Sequence, residues 1–187
     1  GFGQAVRQAS FNGVSIMTGT GYVSANFSAW GGFATTILLI VMFIGGCGGS
    51  TTCGIKVFRL QVLASTAKVQ ISRLLRPHAV VLAYYNKRPV SVEVMDSVMG
   101  FFYLFILGFV LIAIMLGIAG LDFVTALSGA ATSISNVGPG LGEVIGADGN
   151  FSTLPDSAKW IMTFAMLLGR LEIFTVLVML NPAFWQR

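Results

Sequence analysis

Charge is missing from long stretches of this chain. Residues 30–55 carry no charged side chain across 26 positions, and residues 99–121 form a second uncharged run. A third apolar run, residues 160–185, is interrupted only by Arg170 and Glu172. A helix needs about 20 predominantly apolar residues to cross a bilayer, so the pattern predicts three spans. They begin at Trp30, at about Val94 and at Trp160. Trp30, Trp160 and Trp185 stand at the ends of these runs, where interfacial aromatics belong.

The remaining pieces follow a second pattern. Residues 7–17 read as a short helix, followed by Thr18-Gly19-Thr20-Gly21-Tyr22. Residues 123–133 read as another, followed by Ser135-Asn136-Val137-Gly138-Pro139-Gly140. A short apolar helix running into a glycine-rich turn predicts a re-entrant loop, and a membrane tolerates such backbone only where protein buries it or it lines a cavity. Placing Gly21 on Gly138 pairs Thr18 with Ser135 and Ser15 with Thr132. Asn26-Phe27-Ser28 before Trp30 is matched by Asn150-Phe151-Ser152 before Trp160. Both triplets fit a glycosylation sequon, but their value here is the repeat. The predicted organisation is a partial repeat over 1–76, a linker over 77–93, and a complete span–helix–loop–span repeat over 94–187. The opening Gly1 falls ahead of a re-entrant segment, and the chain reads as a piece of a longer one.

Composition supports the membrane reading and charge orients it. Hydrophobic residues make up 55% of the 187 residues and charged ones 10%, against roughly 25% charged in soluble domains. Lys56, Arg59, Lys68, Arg73, Arg76, Lys87 and Arg88 follow one another with no acid between them. By the positive-inside rule this stretch is cytoplasmic. Asp122, Glu143, Asp148 and Asp156 then lie on the outer side. The net charge of +4 comes from the basic stretch, so it does not argue for nucleic acid as a partner.

Candidate chemistry lies in four places. Thr18 to Gly21 and Asn136 to Gly138 can each present successive carbonyls to one axis, because glycine admits the backbone angles that aim them together. Carbonyls so aimed replace the hydration shell of a K⁺ ion. The stretch 44–56, rich in glycine at Gly45, Gly46, Gly48, Gly49 and Gly54, lies some 15 residues inside the first span, about 22 Å along a helix. It predicts a break in that helix of the kind that lines an ion path, with close helix packing as the alternative. It lacks the Gly-Lys-Ser/Thr of a phosphate loop. Arg170 falls near mid-membrane, where an arginine faces a cavity or a partner, the alternative being that it only bonds carbonyls freed by a broken helix. Glu172, two residues on, points to another side of the helix. Cys47 and Cys53 cannot complete a tetrahedral metal site, and His78 lies far off in the basic loop. No His, Cys and Asp set has catalytic spacing within the membrane, so an enzyme is not expected.

Met17-Thr18-Gly19-Thr20-Gly21-Tyr22, the stretch 44–56, Asn136-Val137-Gly138-Pro139-Gly140-Leu141-Gly142, and Gly169-Arg170-Leu171-Glu172 with Asn181-Pro182-Ala183-Phe184-Trp185 occur in this order. Together they resemble the Trk/Ktr/HKT superfamily of K⁺ transporters, most closely its bacterial Trk branch. The resemblance covers the whole chain. It implies an all-α integral membrane protein of span–pore-helix–filter–span repeats with re-entrant loops and a broken transmembrane helix. Four such repeats would surround one K⁺ path, with this chain supplying a partial third and a complete fourth. It implies that Gly21 and Gly138 are the key filter glycines, that Thr20 and Val137 lend further carbonyls, and that Thr18, Gly19 and Asn136 flank them. It implies that Gly45, Gly46, Gly48 and Gly49 form a gate beneath the filter and that Arg170 faces the pore. It further implies K⁺ as the transported ion with no organic cofactor, a homodimer, a cytoplasmic nucleotide-sensing ring as partner, N-terminal repeats of the same protein, and the bacterial cytoplasmic membrane as location. The loops depart from the Thr-Val-Gly-Tyr-Gly of K⁺ channels, which implies softer discrimination against Na⁺. The competing function class is a membrane scaffold whose glycine-rich breaks serve packing alone.

Overall fold

The computed structural model describes residues 1–50, 52–77, 81–171, 173–180 and 182–185. Thr51, within the stretch 44–56, and His78, Glu172 and Asn181, named above, lie outside the described residues. The described chain is helical: α1 (Phe2–Met17), α2 (Gly32–Phe43), α3 (Val57–Leu75), α4 (Val92–Ile118), α5 (Phe123–Ser135), α6 (Asp156–Arg170), α7 (Ile173–Leu180) and α8 (Pro182–Trp185). A two-stranded hairpin, β1 (Tyr84–Tyr85) with β2 (Arg88–Pro89), falls in the stretch expected to be a plain linker. Its turn residues Asn86 and Lys87 both have positive φ, as a tight two-residue hairpin requires. Ser65 on α3 holds the hairpin by giving a hydrogen bond to the Tyr84 carbonyl and taking one from its N–H, each at 3.1 Å.

Of the three apolar runs, the second forms α4, the one helix among the described residues long and apolar enough to cross a bilayer by itself. Its 27 residues reach about 40 Å at 1.5 Å per residue. Ser91 caps its start by accepting from the Val94 N–H. Along α4, Val98, Phe101, Phe105, Ile112 and Leu116 are buried, while Met99, Tyr103, Ile106, Val110 and Ile114 form an exposed apolar stripe. That division is costly in water and natural against lipid tails. The first run stops at Phe43 after 12 residues. The third departs from the expected single span. Its helix starts at Asp156, four residues before Trp160, ends at Arg170, and resumes as α7.

Helix α5 is the packing centre. Ten of its 13 residues are buried, most of them small: Ala126, Ser128, Gly129, Ala130, Ala131 and Ser133 among them. Their size lets neighbouring backbones come close. One side packs on Phe105, Ile112 and Leu116 of α4 and on Ala158, Met162 and Ala165 of α6. Ala131 joins the other cluster, with Ile16 of α1, Leu38 and Met42 of α2, and Val137 and Leu141. The end of α2 is anchored to α4 by edge-to-face contacts of Phe43 with Phe109 and Phe105, at 5.0 and 6.1 Å between ring centroids.

Asp122 caps α5. Its carboxylate accepts from the Thr125 N–H at 3.1 Å. The Thr125 hydroxyl, and after it the Thr125 N–H, hold the carboxyl below the ordinary carboxylate value. A group whose folded-state pKa is lowered stabilises the fold above its unfolded pKa, and that contribution is lost as pH falls through the lowered value. Asp122→Ala is expected to cost about 1 kcal/mol, the usual worth of an N-cap. Asp122→Asn keeps a good cap and should flatten the acid-side decline below about pH 4. Thermal unfolding in detergent as a function of pH, compared across the three proteins, checks both.

Candidate functional site

The two glycine-rich loops have matching backbones. In the first, the Gly19 N–H donates to the Ile16 carbonyl at 3.1 Å and the Thr20 N–H to the Ser15 carbonyl at 3.0 Å. In the second, Asn136 donates to Ser133 at 3.2 Å and Val137 to Thr132 at 3.0 Å. These are the same bonds at the same spacing. Gly19 and Asn136 both have positive φ, at 68° and 52°, and so do Gly21 and Gly138, at 76° and 113°. Thr20 and Val137, between them, do not. Alternating the sign of φ turns successive carbonyls toward a common side, and glycine or asparagine meets that demand most cheaply.

Side chains from the preceding helix brace each loop. Ser15 donates to the Tyr22 carbonyl at 2.7 Å, and the Thr132 hydroxyl accepts from the Gly138 N–H at 3.0 Å. Farther along, Asn12 accepts from the Ser24 N–H at 3.1 Å and donates to the Ser24 hydroxyl at 3.1 Å. In the second copy, the Ser128 hydroxyl accepts from the Leu141 N–H at 3.1 Å and donates to the Leu141 carbonyl at 3.2 Å. Asn12, Ser15, Ser128 and Thr132 are all buried. Each loop then reaches an Asx-capped turn: Asn26 accepts from the Ser28 N–H at 2.9 Å, and Asn150 from the Ser152 N–H at 3.0 Å. The sequon-like triplets are therefore caps of equivalent 3-10 turns.

The loops also touch. A Cβ built on Gly21 would lie 2.6 Å from the Val137 carbonyl oxygen, and one on Gly138 would lie 3.8 Å from the Gly21 Cα. Helices α1 and α5 end at the loops, so both deliver the partial negative charge of a helix C-terminus there.

The glycine-rich segment after α2 is a pinched loop. The Gly45 N–H donates to the Ile55 carbonyl at 2.9 Å, the Ile55 N–H to Phe43 at 2.8 Å, and the Val57 N–H to Gly46 at 3.2 Å. Gly45 sits at the neck, where any Cβ would run into the Cys53 carbonyl. A Cβ on Gly46 would crowd the Ser50 and Thr52 hydroxyls at 2.9 and 3.0 Å, and one on Gly48 would meet the Phe58 ring at 3.4 Å. Gly49 has φ of 86°. Thr52 reaches the first of the paired loops, its hydroxyl donating to the Thr18 carbonyl at 3.4 Å. Arg170, at the end of α6, places Nη1 3.7 Å from the Cys53 sulfur. A cavity of about 160 Å³ lies between them, lined by Ser50, Thr52, Cys53, Arg59, Phe101 and Arg170 among others. Arg59 stacks over the Phe101 ring at 3.8 Å from its centroid. Both cysteines are free thiols.

A family model described as TrkH, cation transport protein, matches residues 2–187. The chain belongs to the TrkH family of cation transport proteins. Among its relatives, the Trk system potassium uptake protein TrkI of Halomonas elongata is 47% identical over 183 residues, 98% of this chain and 37% of that protein. TrkH of Escherichia coli strain K12 is 37% identical over 181 residues, 97% of this chain and 37% of that protein. The crystal structure of the potassium transporter TrkH from Vibrio parahaemolyticus superposes with a TM-score of 0.86 at 40% identity, over 95% of this chain and 37% of that one. The chain thus spans about 37% of the length of these relatives. This TrkH-family chain is predominantly helical and belongs to a family of membrane cation transporters, not of enzymes.

All the predicted residues of this TrkH-family chain fall in one connected region. Gly19 approaches the Asn136 carbonyl and Gly21 meets Val137 and Gly138, Thr18 and Thr20 belong to the same first loop, and the glycine loop with Arg170 lies against the same region through Thr52 and Cys53. Sequence reasoning passed over the bracing side chains Asn12, Ser24, Ser128 and Thr52. For Asn12 and Ser128 the available signal was a polar residue on a short helix, at a position facing the returning chain, whereas Ser24 and Thr52 lie in loops and carried no such signal.

Gly21→Ala combines a positive φ with a 2.6 Å approach to backbone, so it should cost on the order of 1–3 kcal/mol. Gly13→Ala, in the interior of α1 with nothing within 4 Å of its Cβ position, should stabilise by up to about 1 kcal/mol. Chemical unfolding of the full-length protein in detergent measures both.

Proposed function

We propose that this chain supplies two of four repeats around a K⁺-conducting path in a bacterial uptake protein. In this reading, residues 1–76 are the partial third repeat, 77–93 the cytoplasmic linker and 94–187 the fourth repeat. The observation that carries it is the pair of loops with matching bonds and matching signs of φ, in contact at Gly21 and Val137. The relatives named above as potassium uptake proteins supply the ion.

Backbone carbonyls at Thr20, Gly21, Val137 and Gly138, flanked by Thr18, Gly19 and Asn136, replace water around K⁺, which is the substrate. The C-terminal ends of α1 and α5 add negative potential there. Two loops close half of a ring, and N-terminal repeats of the same protein close the rest. The loop with Gly45, Gly46, Gly48 and Gly49 obstructs the cytoplasmic side, and Arg170 adds an electrostatic barrier. A unit positive charge about 4 Å from the ion costs roughly 4 kcal/mol at an effective dielectric of 20, and about 1.4 kcal/mol is a factor of ten in rate. The protein is multi-pass in the cytoplasmic membrane and works as a homodimer with a cytoplasmic nucleotide-sensing ring.

Flux of K⁺ and Na⁺ into proteoliposomes holding the full-length protein tests this. Gly138→Ser should lower the K⁺ over Na⁺ preference, because a Cβ at φ of 113° forces the carbonyls to re-aim. Unchanged ion preference would sink the filter assignment.

At matched membrane levels, Arg170→Ala should raise K⁺ flux by tenfold or more, by the roughly 1.4 kcal/mol-per-decade scale. Arg170→Lys should largely retain the barrier. A fall in flux for folded Arg170→Ala would mean that the arginine only supports the helix end, as a scaffold would use it.

A further inference from the structure

We propose that the Asn136 side chain is a positioning residue that ties the second loop to the end of α6 and so holds Arg170 in place. The proposal rests on the Arg170 barrier described above. Asn136 has two separable roles. Its backbone takes a left-handed conformation, φ 52° and ψ 45°, that closes α5. Its amide turns away from the loop and donates to the Met166 carbonyl on α6 at 3.0 Å. In the helical ladder, that carbonyl is also the acceptor for the Arg170 N–H. The loop therefore shares a hydrogen-bond acceptor with the residue that carries the barrier charge.

The same turn of α6 is wedged from a second side. A Cβ at Gly169 would run into the Ile134 carbonyl and lie 2.9 Å from the Asn136 amide nitrogen. The last turn of α6 thus touches the end of α5 and the loop through backbone and amide together. In the other repeat the counterpart of Asn136 is Gly19, which has no side chain to reach with. There the tether runs the other way, from Thr52 of the glycine loop to the Thr18 carbonyl. A displacement of either loop is felt by the element beneath it.

Asn136→Gly in the full-length protein removes the amide and keeps a residue at home in the left-handed conformation. Backbone hydrogen exchange across 167–171 should speed up by about two- to tenfold, the worth of one neutral hydrogen bond. Asn136→Asp, which also tolerates that conformation but whose carboxylate cannot donate, should show the same loss of protection. Unchanged exchange in both variants overturns the tether. In flux assays Asn136→Gly should raise K⁺ flux by about two- to tenfold on the same scale, and it should add nothing on top of Arg170→Ala. An equal change in both backgrounds overturns the proposal, because the residue then acts through the loop backbone and not through Arg170. If Arg170→Ala itself leaves flux unchanged, the barrier reading falls, and the exchange measurement still decides whether the tether exists.

Discussion

A bilayer interior offers no water to an unpaired N–H or C=O, and in the function proposed above two glycine-rich loops and a pinched third one must satisfy such groups from within the protein. Everything else follows from how those groups are satisfied. The short helices α1 and α5 pass their last carbonyls to the loop N–H groups, at Ser15 and Ile16 in one case and Thr132 and Ser133 in the other. Buried polar side chains then take the next positions: Ser15 and Asn12 in the first copy, Thr132 and Ser128 in the second. Each unsatisfied group would cost about 1–3 kcal/mol, so these few side chains decide whether the loops hold one shape.

That bracing explains the unusual make-up of α5. A helix that must hand hydrogen bonds to a loop while lying against α2, α4 and α6 has little room for large side chains, and Ile134 is the large one it encloses. Alanine, glycine and serine provide it, and Ala130, Ala131 and Ile134 are fully enclosed. The larger side chains come from the neighbours, as where Leu116, Ile145 and Met162 converge on Gly129.

The first and third apolar runs both break, and a glycine pressed against neighbouring backbone sits at each break. Gly45 lies where a side chain would strike the Cys53 carbonyl, and Gly169 where one would strike the Ile134 carbonyl. The first break opens into a loop closed at its neck by Gly45, Ile55 and Phe43. The second leaves Arg170 at a helix end. The two breaks face each other across one cavity, with Arg170 against Cys53. The loops, the glycine segment and the end of α6 are joined by one series of contacts: Gly21 against Val137, Thr52 to the Thr18 carbonyl, Arg170 to Cys53 and Asn136 to Met166.

The residues alone determined the membrane class, the span at α4, the two short helices with their glycine-ended loops, and the helix break after Phe43. These rest on local properties: an uncharged run of sufficient length, glycines too dense for a helix, and matched Ser/Thr and Gly spacing in two segments. Where the third run breaks was decided only by tertiary structure. Hydropathy sees Trp160 onward as one span, whereas the helix begins at Asp156, directly after Pro155, and ends at Arg170, with Gly169 in its last turn pressed against the end of α5. The hairpin at Tyr84–Tyr85 and Arg88–Pro89 was equally hidden, for Asn86-Lys87 is a weak turn signal and Ser65 of α3 helps hold it. The direction of the Asn136 amide was hidden as well. Its positive φ can be guessed from an asparagine after a helix, but its partner, Met166, lies thirty residues away. Local patterns fix which segments can be helices and loops, and nonlocal contact between backbones fixes where they stop and what their polar side chains hold.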